Sequence, residues 1–295
     1  MKKFISTIIS AAVLSGCLTP LADNHYRGPR YETMTERGQA YFDDKGNIEG
    51  LHANSDKIVA SKPGRIVIDD TEARVGKDSI RFVLYPGDCS KTWNHGWDDC
   101  AWNNQRVELQ MTSRERAKEE FYTVSLKLDE NFKYQKPLRY KKEDKAMINL
   151  YQFYTIGVSG CFNLVYRYRS FQEDEGLWID ERCRDQKNYR GHRWTELTDK
   201  TNNLNRWHDF LWHIKWSTND DGFIVLKLNG EEVFTYNGIT VIESEESLNE
   251  HDVVNNLFIY RYGNEFHENT TPLTMWADGI GRYDSIEKVP ALYKK

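Results

Sequence analysis

The segment 103–111, NNQRVELQM, alternates in chemistry from one residue to the next. Arg106 and Glu108 have one parity, and Val107 and Leu109 have the other. Because successive side chains of a strand point to opposite faces, the segment predicts a strand with one apolar and one polar face. Exposure to water explains such a pattern simply, since half-solvated antiparallel strands commonly alternate. Arg beside Glu also suits an anion-binding site in which Glu108 holds Arg106 in place.

Polar rows of the same kind recur in three other segments, 146–154, 162–170 and 257–264. The side chains predicted to share a face are Gln152 and Tyr154 with Ile148 and Leu150; Asn163, Arg167 and Arg169; and Phe258, Tyr260, Tyr262 and Asn264. A merely solvated face is usually richer in Lys, Glu, Ser and Thr. Arg binds carboxylate or sulfate through paired hydrogen bonds, and Tyr offers an apolar ring with a polar tip. The rows therefore predict a concave groove for an anionic, hydroxyl-rich polymer.

Strand signals recur along most of the chain, and turn residues separate several of them. The predicted strands are 64–69, 79–85, 105–111, 120–128, 146–154, 162–170, 208–217, 222–228, 231–236 and 254–262. Asp-Gly at 221–222 and Asn-Gly at 229–230 are strong hairpin signals. The segment 113–120, SRERAKEE, predicts at most one or two helical turns. Many short strands predict an all-β sandwich of two antiparallel sheets, a jelly roll, in one domain over 31–295.

The first 16 residues have the pattern of an export signal. Two lysines precede an apolar stretch that is too short to span a bilayer as a mature helix. The sequence LSGC, ending at Cys17, is similar to the lipobox of bacterial lipoproteins, and an ordinary secretory signal is the alternative. We expect residues 1–16 to be removed, residues 17–30 to form a tether, and lipid on Cys17 to anchor an exported protein in the periplasm or at the cell surface.

Cysteine usage agrees with export. Four cysteines remain after Cys17, and an even number in an exported chain suggests disulfides. Three connectivities are open, and the one that closes the shortest loops pairs Cys89 with Cys100 and Cys161 with Cys183. Zinc is the alternative use of cysteine, but no CxxC or paired His spacing supports it. We predict no metal and no cofactor, and nothing in the sequence supports a structural calcium ion.

The composition restricts the kinds of molecule that the protein is expected to bind. The 295 residues include 45 acidic and 40 basic side chains, and the net charge of -5 argues against general affinity for nucleic acid or anionic lipid. Aromatic content is 13%, with 9 Trp and 17 Tyr, which suits both a large core and a carbohydrate surface. We expect a monomer whose partner is an anionic polysaccharide.

Three motifs occur in an order that is known from one group of enzymes. RVEL resembles R-[ST]-E-L, QFY falls where that group has Q-[IV]-H, and NLFIYRYGN resembles Y-F-K-A-G-x-Y-x-Q. With WHDF and DGFIVLKLNG they cover most of 60–285 and resemble the β-jelly-roll polysaccharide lyases related to heparin lyase I, glucuronan lyase and the alginate lyases. This chain departs from the pattern at Tyr154, where the group has His, and at Phe258 and Tyr260. Tyr262 keeps the catalytic tyrosine position.

The resemblance implies cleavage of a uronate polymer by β-elimination. Such an enzyme neutralises the C6 carboxylate, removes the C5 proton and protonates the departing glycosidic oxygen. The resemblance implies that Arg106 and Gln152 bind the carboxylate and that Tyr262 transfers the protons, with Tyr154 as the alternative base. The residues expected to bind the rest of the polymer are Glu108, Arg167, Arg169, Tyr260 and Asn264.

Two other functions fit part of the pattern. A jelly-roll glycoside hydrolase needs two carboxylates near one another on the groove, and the acidic segment 173–181 lacks the expected E-x-D-x-x-E spacing. A non-catalytic carbohydrate-binding lipoprotein would use the same Arg and Tyr side chains without proton transfer. His208, within WHDF, is expected to be a hydrogen-bonded core histidine.

Overall fold

A computed structural model describes most of the chain after residue 56. The described residues are 57–60, 65–89, 91–92, 97–101, 104–110, 114–115, 119–132, 147–155, 162–169, 174–182, 193–198, 203–241, 252–261 and 271–295. Their regular structure is seventeen β-strands and two 3-10 helices, Ile286–Lys288 and Ala291–Lys294, with no α-helix in these ranges. No helix in the described part of the chain is long and apolar enough to cross a membrane.

The strands alternate along the chain with short turns and loops. Their bounds are Lys57–Ala60 (β1), Ile66–Asp69 (β2), Ser79–Leu84 (β3), Lys91–Thr92 (β4), Trp97–Asp98 (β5), Gln105–Gln110 (β6), Arg114–Glu115 (β7), Glu119–Leu128 (β8), Met147–Thr155 (β9), Phe162–Arg169 (β10), Asp174–Glu181 (β11), Arg193–Glu196 (β12), Trp207–Lys215 (β13), Phe223–Leu228 (β14), Glu231–Asn237 (β15), Asp252–Arg261 (β16) and Leu273–Tyr283 (β17).

Two large antiparallel sheets form a sandwich. The front sheet has the order β1-β6-β16-β9-β10-β11-β12, with β7 also paired to β16, and the back sheet has the order β15-β14-β13-β8-β17-β3-β2. Strands β4 and β5 form a separate two-stranded sheet. The predicted all-β architecture of two antiparallel sheets is therefore confirmed.

The core lies between the inward faces of the two sheets. On the front sheet, Val107 and Leu109 of β6 pair with Ile259 and Leu257 of β16, and all four side chains are buried. The back sheet contributes large side chains such as Trp212, which is fully buried. Burying a side chain such as Leu109 stabilises the fold by about 1.5–3 kcal/mol. The apolar parity of 103–111 therefore faces the core, and the opposite parity faces outward.

The predicted alternation of β9 is wrong at Gln152. Ile148 and Leu150 are in the core, as expected, but Tyr151 is also in the core and pairs with Leu164. Gln152 pairs instead with Asn163, on the outer face. The register between β9 and β10 shifts at Leu150, and such a β-bulge adds one residue and inverts the alternation beyond it.

The helical turn predicted for 113–120 is also wrong in its described part. Arg114 and Glu115 form β7, which pairs with β16, and Glu119 begins β8, which pairs with β13. Sheet pairing satisfies these backbone groups, and tertiary pairing commonly overrides a weak helical propensity.

His208 is a core residue, as expected from the sequence. Its side chain is buried, and Nε2 lies 3.2 Å from the carbonyl oxygen of Asn203. Burial lowers the pKa of His208 to about 4, although the hydrogen bond to Asn203 acts in the opposite direction. His208 is therefore neutral at physiological pH and belongs to the packing of the back sheet.

Candidate functional site

Arg106 lies on the outer face of β6 between two buried carboxylates. Its Nε atom is 2.8 Å from Asp99 Oδ2, and its Nη1 atom is 2.8 Å from Glu108 Oε2. Burial by itself lowers the pKa of Arg106, but the charges of Glu108 and Asp99 outweigh that effect and raise it. The guanidinium is therefore a permanent cation in a fixed position. Glu108 holds Arg106 as the sequence suggested, whereas Asp99 was not foreseen.

Tyr260 of β16 lies directly opposite Arg106 and packs against it. The guanidinium carbon of Arg106 is 4.5 Å from the centroid of the Tyr260 ring. Asn104 Nδ2 donates a hydrogen bond of 2.8 Å to the Tyr260 hydroxyl oxygen. Tyr260 is 5% exposed. Tyr260 is therefore held by Arg106 on its ring and by Asn104 on its hydroxyl.

Strand β9 adds a third polar residue beside Arg106 and Tyr260. Asn149 of β9 pairs with Tyr260, so Arg106, Tyr260 and Asn149 lie at one level on the neighbouring strands β6, β16 and β9. Neighbouring strands are about 4.8 Å apart, so the row spans about 10 Å across the sheet. We call these three residues the Arg–Tyr–Asn row. Sequence alternation missed Asn149, because the bulge at Leu150 puts Asn149 and Gln152 on the same face.

A disulfide closes the loop that carries Asp99. Cys89 and Cys100 are bonded, with their Cα atoms 5.1 Å apart, which is the first of the two pairings expected from the sequence. At one end of the loop, the backbone NH of Arg106 donates to the carbonyl oxygen of Asp88. At the other end, Asp99 contacts the Arg106 side chain. Both ends of the disulfide loop are therefore attached to Arg106.

A second polar cluster surrounds Gln152. Gln152 pairs with Asn163 on one side and Asn256 on the other, and Asn163 in turn pairs with Asp180. The Asp180 carboxylate accepts a hydrogen bond of 2.6 Å from Arg182 Nε. Asn163 and Asp180 are fully buried and Asn256 is nearly so, whereas Gln152 keeps part of its surface exposed. Gln152 is therefore the member of this cluster that a ligand can reach.

The structure does not bring the two clusters together. Gln152 pairs with Asn256, four residues before Tyr260 on the same strand. Residues advance about 3.3 Å along a strand, so Gln152 lies about 10–13 Å along the strand direction from the level of Arg106. Tyr154 is two residues farther away in the same direction. Arg106 and Gln152 therefore do not share one carboxylate, contrary to the expectation from the sequence.

Arg167 packs between aromatic rings on the outer face of β10. Its guanidinium carbon lies 4.1 Å from the ring centroid of Trp194 and 5.6 Å from that of Trp178. Met147 and Val165 complete a small apolar cluster with these tryptophans. Only 9% of Arg167 is exposed, so its charge meets aromatic faces rather than solvent.

Several predicted residues are not fully described, and their assignments stay predictions. Those outside the described residues are Cys17, Cys161, Cys183, Tyr262 and Asn264. Two others are placed only by their strand positions, Tyr154 opposite Val254 and Arg169 opposite Asp174. In the ranges that are described, no group of three or more His, Cys, Asp or Glu side chains is arranged to hold a metal ion.

Comparisons with known proteins identify the class of enzyme. A family model described as polysaccharide lyase matches residues 43–281. No curated protein sequence matches the chain. Among solved structures, an endo-β-1,4-glucuronan lyase from the fungus Trichoderma reesei has a TM-score of 0.54 at 14% identity, covering 79% of this chain and 92% of its own.

Two alginate lyase structures are also similar. The enzyme from Klebsiella pneumoniae has a TM-score of 0.48 at 9% identity, covering 75% of this chain and 85% of its own. The enzyme from a Chlorella virus has a TM-score of 0.46 at 10% identity, covering 86% and 97%. Since the family model spans most of the residues, the chain belongs to the polysaccharide lyase family and is a polysaccharide lyase with a jelly-roll fold of two antiparallel sheets.

Proposed function

We propose that this lyase cleaves an anionic, uronate-containing polysaccharide by β-elimination at the Arg–Tyr–Asn row. One observation carries the proposal: the Arg106 guanidinium, fixed between Asp99 and Glu108, packs on the ring of Tyr260. Asn104 already donates to the oxygen of that tyrosine. This arrangement fixes both the ring and the hydroxyl of a tyrosine that can serve as the acid–base group.

Tyr260 performs the proton transfers in this proposal. Its oxygen removes the C5 proton of the uronate, and the electron pair forms the C4–C5 double bond as the bond from C4 to the glycosidic oxygen breaks. The same tyrosine then returns the proton to the departing oxygen, so no water is consumed. The sequence resemblance assigns this role to Tyr262, two residues later, and the two assignments make different predictions for the Tyr260→Phe and Tyr262→Phe variants.

The carboxylate of the substrate is bound mainly by amides in this proposal. Arg106 is compensated by Asp99 and Glu108, so these three side chains together do not present excess positive charge. We assign the carboxylate-binding role to Asn149, which lies opposite Tyr260 on the next strand and is 2% exposed, in place of Gln152. Such a site suits a polymer with one carboxylate on each sugar better than a polysulfated chain.

A substrate panel tests the proposed function. Purified enzyme is incubated with alginate, polyglucuronate, chondroitin and heparin, and unsaturated uronate products are followed by their ultraviolet absorbance. We expect product from an unsulfated polyuronate and little or none from heparin. Cleavage confined to heparin would contradict the charge argument, and tight binding without product from any polymer would favour a carbohydrate-binding protein.

We propose further that the protein is exported and anchored to a membrane by lipid on Cys17. The support is the sequence LSGC, which follows a short apolar stretch with two lysines before it. Cys17→Ser should release the protein from the membrane fraction without changing its specific activity, because no described strand includes the tether. Fractionation of cells that express the wild type and the variant measures this. A Cys17→Ser variant that stayed with membranes would contradict acylation at this residue.

A further inference from the structure

The disulfide joins two segments that each hold one buried aspartate. Asp88 directly precedes Cys89, and Asp99 directly precedes Cys100. Both aspartates are buried, and both contact Arg106. Asp88 accepts from the backbone NH of Arg106 through its carbonyl oxygen, and Asp99 accepts from the guanidinium through its carboxylate. The disulfide therefore ties together the backbone contact and the side-chain contact that this loop makes with Arg106.

Asp99 also fixes the residue that contacts the Tyr260 hydroxyl. Its carbonyl oxygen accepts a hydrogen bond of 2.8 Å from the backbone NH of Asn104. Asn104 Nδ2 in turn donates to the hydroxyl oxygen of Tyr260, and Arg106 packs on the ring of the same tyrosine. Asp99 is therefore connected to Tyr260 by two routes, one through Asn104 to the hydroxyl and one through Arg106 to the ring.

The disulfide lies where a thiol can reach it. Cys100 is exposed and Cys89 is half-buried, although the aspartate before each cysteine is buried. Exposed disulfides are the ones that thiols reduce most readily. The loop has a sequence separation of only 11 residues, and short loops gain the least stability from a disulfide. Its strands β4 and β5 belong to neither large sheet. Reduction is therefore expected to release Asp99 while the sandwich stays folded.

We propose that the Cys89–Cys100 disulfide is a redox switch for the reacting centre, with Asp99 as the positioning residue through which it acts. The proposal rests on the proposed function, in which Tyr260 is the acid–base group. The reductant is a dithiol. One of its thiolates attacks a cysteine sulfur and forms a mixed disulfide, and its second thiolate then breaks that bond. Two electrons and two protons pass to the enzyme, so two cysteine thiols replace the S–S bond and the dithiol leaves as a disulfide. The oxidised enzyme is the fast form, and the reduced enzyme is the slow form.

Reduction of the folded enzyme with dithiothreitol tests the switch. We expect kcat per folded molecule to fall about 10–100-fold, the value of one hydrogen bond to a charged group, and KM to stay within about threefold. Replacing the reductant with oxidised glutathione should restore kcat. The double variant Cys89→Ser, Cys100→Ser should have the low kcat without treatment and should not respond to dithiothreitol.

Asp99→Asn separates the switch from a general effect on folding. It keeps the disulfide but replaces the carboxylate with an amide, whose NH2 group cannot accept from a guanidinium. We expect kcat per folded molecule to fall as it does on reduction. Asp99→Asn combined with the two serine substitutions should be no worse than either change alone. Asp209→Asn is the matched control, because it removes the charge of a buried aspartate that pairs with Arg74 on the back sheet, and it should keep full kcat.

Hydrogen exchange gives a readout that does not depend on catalysis. Reduction should speed exchange of the backbone NH groups of Asn104 and Arg106, which donate to Asp99 and Asp88, and should leave β13 unchanged. Full kcat in the folded reduced enzyme or in Asp99→Asn would overturn the switch, and so would unchanged exchange at both NH groups. Wild-type inactivity on every uronate polymer would instead overturn the proposed function, and exchange alone would then decide whether the disulfide holds Arg106 in place.

Discussion

Tyr260→Phe is expected to lower turnover by about 10²–10⁴, the usual contribution of one positioned proton-transfer group. The substitution removes only the hydroxyl that Asn104 contacts and leaves the ring to pack against Arg106. Polymer binding should change little, because the tyrosine oxygen acts mainly in the transition state. Initial rates across substrate concentrations, measured on the polymer that the wild type cleaves best, give both kcat and KM.

Tyr262→Phe is the matched comparison, because it removes the same atom two residues along the chain. We expect it to lose much less activity than Tyr260→Phe. Tyr236→Phe, on the back sheet, should lose none. Tyr154→Phe should also have a small effect, because its strand position is well separated from Tyr260. A large loss in Tyr262→Phe with full activity in Tyr260→Phe would return the catalytic role to the position that the sequence motif predicts.

Arg106→Ala should reduce both stability and turnover. It leaves the carboxylates of Asp99 and Glu108 buried without their cation, and breaking a buried pair in this way costs about 3–5 kcal/mol. Turnover of the folded fraction should fall at least about tenfold, since a desolvated cation–π contact is worth about 2 kcal/mol. Arg106→Lys should recover little, because lysine cannot contact two carboxylates in fixed directions. Denaturant unfolding and activity per folded molecule measure the two effects.

Arg74→Ala separates the two effects. Arg74 forms a comparable pair with buried Asp209 on the back sheet, with Nε 2.9 Å from Asp209 Oδ1. We expect this variant to lose stability and to keep full turnover per folded molecule. If Arg106→Ala likewise kept full turnover, Arg106 would be a structural residue, and the Arg–Tyr–Asn row would not be the reacting centre.

Strands with regular alternation and clear turns are predictable from the sequence. The predicted segments 222–228 and 231–236 match Phe223–Leu228 and Glu231–Asn237 within one residue. Asn229 and Gly230 between them both have positive φ, as the tight hairpin turn requires. Here local chemistry fixes where each strand ends, whereas the register shift between Leu226 and Lys227 is not visible in the sequence.

Two long strands were not predicted, because their sequences do not show the regular alternation of a strand. Asp174–Glu181 looks like a solvated acidic segment, yet Asp180 and Glu181 are buried. Leu273–Tyr283 contains Gly279 and Gly281, where the register with β8 shifts. Glycine and bulges weaken a strand signal, and a buried carboxylate is recognisable only once its partner is known.

The candidate site was predictable only where the strand is regular. Strand β6 alternates without interruption, so Arg106 and Glu108 are placed on the outer face from sequence alone. On β9 the bulge at Leu150 inverts the alternation, so Asn149 faces outward, which the sequence pattern did not predict. Gln152 is therefore not at the level of Arg106. Asp99 lies outside the strands, in the disulfide loop, where periodicity carries no information. Its contact with Arg106 depends on tertiary structure.

This sandwich is expected to cleave its polymer by elimination, which a paired count of new chain ends can establish. New reducing ends and new unsaturated ends are counted in the same digest of an unsulfated polyuronate. β-Elimination predicts that the two counts rise together from the first time point and that both nearly vanish in Tyr260→Phe. Reducing ends that appear without unsaturated ends would mean hydrolysis and would contradict β-elimination.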